Sequence, residues 1–152
     1  TEALSTLRIE MGHIAGSELD GRTIPYDNSL EGLVSKKKDF IGKRSLDREA
    51  FIAVDRQKVV GVVPIDKKTS IPEGSHLVKD AMAPIPNPKL GYISASCWSV
   101  EYDNPFSLAI LKDGKNMIGQ KLFAMSPLKN KTIPVEIVSS HYVDPKGERV
   151  RS

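Results

Sequence analysis

Lys58-Val59-Val60-Gly61-Val62-Val63-Pro64-Ile65 is the stretch on which the fold turns. Its valines are stiff at the first side-chain torsion and suit a pleated strand, which the proline then ends. The rest of the chain continues in the same manner. Ile71-Pro72-Glu73-Gly74-Ser75 reads as a turn into a short strand at His76–Val78. Residues 81–88 carry Pro84, Pro86 and Pro88 and predict an exposed hairpin tip. Residues 89–98 alternate, which places Leu90, Tyr92, Ser94, Ser96 and Trp98 on one strand face. Asn104-Pro105 turns the chain into a strand at 106–111, and Lys112-Asp113-Gly114-Lys115 reads as a tight turn with glycine in third place. Further strands are predicted near 119–125 and 132–139. Six short strands separated by turn clusters predict a closed antiparallel barrel or sandwich over residues 51–152.

Upstream the periodicity differs. Leu4, Leu7 and Met11 fall at i, i+3 and i+7, an apolar helix stripe that Gly12 stops. Arg8 points away from that stripe, toward solvent or a pocket. Residues 13–28, with Gly16, Gly21, Pro25 and Asn28, read as loop. Asn28-Ser29 is a candidate cap for a helical turn carrying Leu30 and Leu33. Lys36-Lys37-Lys38 leads to a second predicted helix at 41–50, with Ile41, Leu46 and Ala50 inward. The fold class is therefore α+β: a partly helical segment over 1–50, then an antiparallel β-barrel or sandwich of six strands over 51–152. The apolar faces of 1–50 need partners that so short a segment does not supply. That, with helix onset so near Thr1, leads us to expect a piece of a longer protein. A face left open in this way could also drive homo-oligomer formation.

Composition sets the outer limits. The chain has 152 residues, 39% of them hydrophobic and 27% charged, with a net charge of +3, which suits an ordinary globular unit rather than a disordered one. No basic helix or RNA-binding aromatic signature points to nucleic acid. No apolar run is long enough to span a membrane as a helix. One cysteine, Cys97, leaves no internal disulfide and no cysteine-based zinc site. With no signal-peptide pattern, cytoplasm is the expected compartment.

Catalytic motifs are absent: no Gly-x-Ser-x-Gly, no His-Glu-x-x-His, no phosphate-binding glycine loop. His13, His76 and His141 fit no metal-ligand spacing, so no metal is expected. Cys97 is either a reactive thiol or a buried structural one, and the second is the commoner use. Trp98 either stacks on a flat heteroaromatic ligand or packs within its strand. The lysine triplet either attracts a polyanion or is a solvated loop. Arg8 and Glu10, two apart on a helix, face different ways. Arg8 either makes a surface contact or offers its planar fork to a ligand heterocycle or carboxylate.

Four blocks, in order, carry a resemblance. They are Leu7-Arg8-Ile9-Glu10-Met11-Gly12-His13 with Glu18-Leu19-Asp20-Gly21-Arg22-Thr23 and Pro25; Val34-Ser35-Lys36-Lys37-Lys38-Asp39-Phe40-Ile41-Gly42; Gly91-Tyr92-Ile93-Ser94-Ala95-Ser96-Cys97-Trp98-Ser99 through Leu108-Ala109; and Pro134-Val135-Glu136-Ile137-Val138 with Asp144-Pro145-Lys146-Gly147-Glu148-Arg149. The chain resembles the folate-binding aminomethyltransferase (glycine-cleavage T-protein) family, and within it the C-terminal region of heterotetrameric sarcosine oxidase alpha subunits. The resemblance implies that residues 1–50 are a partial mixed α/β segment ending a folate-binding domain and that 51–152 are the family's C-terminal six-stranded antiparallel β-barrel. It implies tetrahydrofolate as cofactor, with Arg8, Glu10 and Trp98 as candidate contacts, since the Arg8 segment lines the folate pocket in the family. It implies a parent that oxidatively demethylates sarcosine to glycine and passes the one-carbon unit to tetrahydrofolate. The parent's FAD, FMN and NAD sites, its zinc and its catalytic aspartate would lie outside this stretch, and the other oxidase subunits would be its partners. The isolated chain is accordingly expected to lack oxidase activity. Two departures stand out: Ala15 occupies the place of a family tyrosine, and Val100 that of a family proline. The end of a stand-alone aminomethyltransferase or of a dimethylglycine-dehydrogenase-like protein is an alternative. So is a structural barrel for subunit contacts that binds no small molecule.

Overall fold

A computed structural model describes residues 1–84 and 86–152. The strands are β1 (Gln57–Pro64), β2 (His76–Val78), β3 (Gly91–Ser99), β4 (Asn104–Lys112), β5 (Lys121–Ser126) and β6 (Lys131–Val138). They close into a barrel in the order β1-β4-β3-β2-β5-β6, every pair antiparallel. Closure leaves no unpaired sheet edge. Strand β1 forms one seam, pairing with β4 at Val60↔Ala109 and with β6 at Val62↔Ile137.

Period-two alternation sorts the side chains into two clusters. Val60, Val62, Ile71, Leu77, Ile93, Leu111, Leu122, Val135 and Ile137 pack together in the barrel core. Val59, Val63, Ala95, Phe106, Leu108 and Ile110 form a second buried cluster around Ile9. Strand β4 is consequently buried on both faces for eight of its nine residues. What covers its outer face is the helix α1 (Glu2–Glu10) and the segment after β6. The Tyr142 ring stacks on fully buried Phe106 at 4.2 Å, and Tyr142 and Val143 both donate their backbone N–H to the Glu10 carbonyl.

The end of α1 is fixed by glycine chemistry. Gly12 has φ +68, its N–H bonds to Ile9 O, and the His13 N–H bonds to Arg8 O, which is a Schellman stop. A Cβ at Gly12 would lie 2.5 Å from the Ser140 carbonyl oxygen, so the same residue admits the returning C-terminal segment.

Several expectations are corrected. The stripe Leu4–Leu7–Met11 is not the packing face: Leu4 and Leu7 are 72% and 57% exposed, while Ile9 and Glu10 are buried. Only the last turn of α1 reaches the barrel, so whatever points down there is buried regardless of the stripe. The helix predicted at 41–50 is two single turns, α2 (Lys43–Leu46) and α3 (Glu49–Ile52). Gly42 at φ +91 and an extended Arg48 interrupt it, and Ile41 is wholly exposed. Ser29 at φ +58 caps nothing; the turn at Glu31–Leu33 starts from Leu30 without a side-chain cap. Asn104-Pro105 lies inside β4, and the chain turns at Asp103, with φ +51. After β4 the left-handed residue is Asp113, and Gly114 is packed against Val60 at the start of a 3-10 turn. Alternation along β3 fails at Ser94, where a bulge between Ile93 and Ala95 shifts the register. Ile93 therefore points into the barrel, while Ala95 and Cys97 join Tyr92 on the helix side. The tip predicted at 81–88 contains Ile85, which lies outside the described residues; Met82 within it is exposed.

Candidate functional site

Arg8 sits in the last turn of α1. Its Nη1 donates to Glu18 Oε2 and to the His13 carbonyl, both at 3.2 Å. Glu18 is fully buried, and its Oε2 also accepts the Ala15 N–H at 2.9 Å. Next to it, the Ser17 hydroxyl donates to the Ser94 carbonyl at 3.0 Å. That carbonyl belongs to the bulge residue. The extra residue in β3 thus gives the 15–18 loop an anchor, the loop holds Glu18, and Glu18 orients Arg8. A guanidinium has five N–H donors, and these contacts use only one of its nitrogens. The remaining fork is available on a side chain that is 25% exposed.

Glu10 turns the other way, as two-residue helix spacing requires. Its carboxylate accepts the Val100 N–H at 2.9 Å and ties the end of β3 to the helix. A proline at position 100, the residue expected from the family, has no N–H to give. The departure at Val100 is therefore what supplies Glu10 with this donor. Cys97 lies between these charges. Burial first, and then the Glu10 carboxylate, push its thiol up to about 11, against an opposing pull from Arg8. It is a protonated thiol at neutral pH, and the structural reading of Cys97 follows.

Trp98 projects to the opposite side of β3 from Cys97 by strand alternation. It is 45% exposed, and its Nε1 donates to Asp103 at 3.1 Å. The structure thus gathers Arg8 and Glu10 at the helix side of β3 and leaves Trp98 on the other side of that strand. Among the described residues no group of three or more His, Cys, Asp or Glu is placed to hold a metal ion. Among the described residues no helix is long and apolar enough to cross a membrane. Nothing in the sequence singles out Glu18, because a carboxylate in a glycine-containing loop carries no periodic signal and its cation is ten positions away across a helix stop.

Against known proteins, the chain is 38% identical over 151 residues, 98% of its length, to sarcosine oxidase subunit alpha of Rhizobium meliloti (strain 1021). It is 37% identical over 152 residues to the subunit of the same name from Corynebacterium sp. (strain U-96). The chain is homologous to part of sarcosine oxidase alpha subunits. It spans 15–16% of the length of these sarcosine oxidase relatives. In fold it matches the crystal structure of glycine cleavage system aminomethyltransferase T from Bartonella henselae, with a TM-score of 0.71 at 21% identity, covering 93% of this chain and 38% of that one. No protein-family model matches the chain.

Proposed function

We propose that this chain is the tetrahydrofolate-binding C-terminal stretch of a sarcosine-oxidase-type alpha subunit, working in the cytoplasm with the other oxidase subunits. Its parent oxidatively demethylates sarcosine to glycine and hands the one-carbon unit to tetrahydrofolate. The observation that supports this most is the identity of 38% sustained over 98% of the chain. Residues 1–50 close a folate-binding domain, and residues 51–152 are the barrel that braces it.

The residues present fit part of a folate site. Arg8 keeps an open, rigidly mounted fork suited to a planar heterocycle or a carboxylate. Across β3 from Arg8, and so separate from its fork, Trp98 offers a partly exposed ring to stack on, with its N–H already satisfied. Glu10 borders the site and fixes the end of β3. Tetrahydrofolate, when bound, supplies the amine nitrogens that accept the one-carbon unit. Arg8 orients it, and the catalytic groups come from the remainder of the parent. This chain alone turns over no sarcosine.

The test is a titration of tetrahydrofolate against the full subunit and its Arg8→Ala form. Removing a charge-assisted hydrogen bond weakens binding by about tenfold or more, with the melting temperature monitored for folding. Unchanged affinity sinks the role of Arg8.

A further inference from the structure

A cleft of about 600 Å³ opens beside the barrel, between the 20–28 loop and the ends of β1, β3 and β4. This is a volume typical of small-molecule sites. Arg8 does not line it. Its charges nearly cancel in pairs. Arg22 holds Asp20, Arg56 holds Asp27 and Lys112 holds Asp55. Lys89 also lines the cleft, and among the described residues it has no carboxylate partner. The lining therefore carries one positive charge in excess.

Asn28 supplies the second feature. It lines the cleft, is only 7% exposed, and its Oδ1 has no hydrogen-bond partner. Burying an amide oxygen without a donor is costly, and native interiors rarely tolerate it. The last torsion of asparagine is broad and two-fold, so a half-turn of the carboxamide puts that oxygen where its NH2 group now stands, within reach of a donor in the cleft. The third feature is an apolar wall of Val59, Ile110 and the Tyr92 ring.

We propose that this cleft binds an amide-bearing aromatic monocarboxylate. The carboxylate meets the excess charge of Lys89, the amide N–H donates to Asn28, and the ring lies on Val59, Tyr92 and Ile110. Diacids bind less well, because every other lining cation is already neutralised.

N-acetylphenylalanine is the probe, followed by amide NMR shifts on the whole chain. Saturable shifts at Asn28, Lys89 and Tyr92 are expected. Lys89→Ala and Asn28→Ala each weaken binding about tenfold, and the remote Lys129→Ala does not. Phenylpropionate, which lacks the N–H, binds more weakly to the wild type but equally well to Asn28→Ala. N-acetylphenethylamine, which lacks the carboxylate, loses the response to Lys89→Ala. The proposal is overturned by the absence of saturable shifts, or by equal affinity of the wild type and the Lys89→Ala surface variant, whose folding is not at risk.

Discussion

Glu18 holds Arg8 from a position that water does not reach. Replacing it by glutamine keeps the shape and removes the charge, so the guanidinium loses its carboxylate while half-covered by protein. A cost of about 2 kcal/mol is expected for Glu18→Gln, from the loss of a charge-assisted bond at a buried site. Urea denaturation reads it, and a midpoint equal to the parent's would show that the pair orients nothing. Cys97 gives a prediction of a different kind. Burial raises its folded thiol from 9.0 to about 11. Between those values the unfolded chain releases the proton and the folded chain retains it. Stability is thus complete below the lower value and declines as pH rises through the upper one. Cys97→Ala should flatten that alkaline decline in a stability-versus-pH series; an unaltered slope would count against burial as the cause.

At the level of elements, β1 is legible because four valines around one glycine have no better use than a strand buried on both faces. The glycine within it is required by packing. A Cβ at Gly61 would stand 2.3 Å from the Ser139 carbonyl oxygen and 2.8 Å from the Phe106 ring. Gly61→Ala should cost about 3 kcal/mol through overpacking. Its effect belongs in the denaturation midpoint, and a stability gain would mean that Phe106 can swing aside. The misread elements share a physical cause. The Ser94 bulge adds one residue without any local sequence mark, so regular alternation places Ala95 on the wrong side. The 41–50 segment has helix-forming residues but buries none of them, and a helix that short needs tertiary support. The stripe on α1 was visible, yet the barrel selects the face of a single turn, and no periodicity reveals which one. Arg8 could be identified as a fork with a possible ligand. Its carboxylate partner could not, because that pairing depends on a loop anchored at the bulge.

On the scale of the molecule, the start and the end of the chain are joined. Residues 140–143 pass against Gly12, Glu10 and Phe106 and hold the end of α1 on the barrel. Tyr142→Ala removes the ring from that joint and should cost about 3 kcal/mol. Hydrogen exchange should then speed up in α1 while β5 and β6 stay protected. Equal acceleration everywhere would mean that the joint is integral to the barrel.

That joint also decides how the molecule responds to force. The Tyr142 and Val143 N–H groups grip one carbonyl side by side, at the foot of a helix whose stop depends on a glycine. Traction between residues 10 and 143 loads these bonds first, and they yield as a small latch. The ring of strands behind them has no outermost strand to peel. The expected force–extension curve therefore has a weak early event, the helix coming free, followed by one strong rupture.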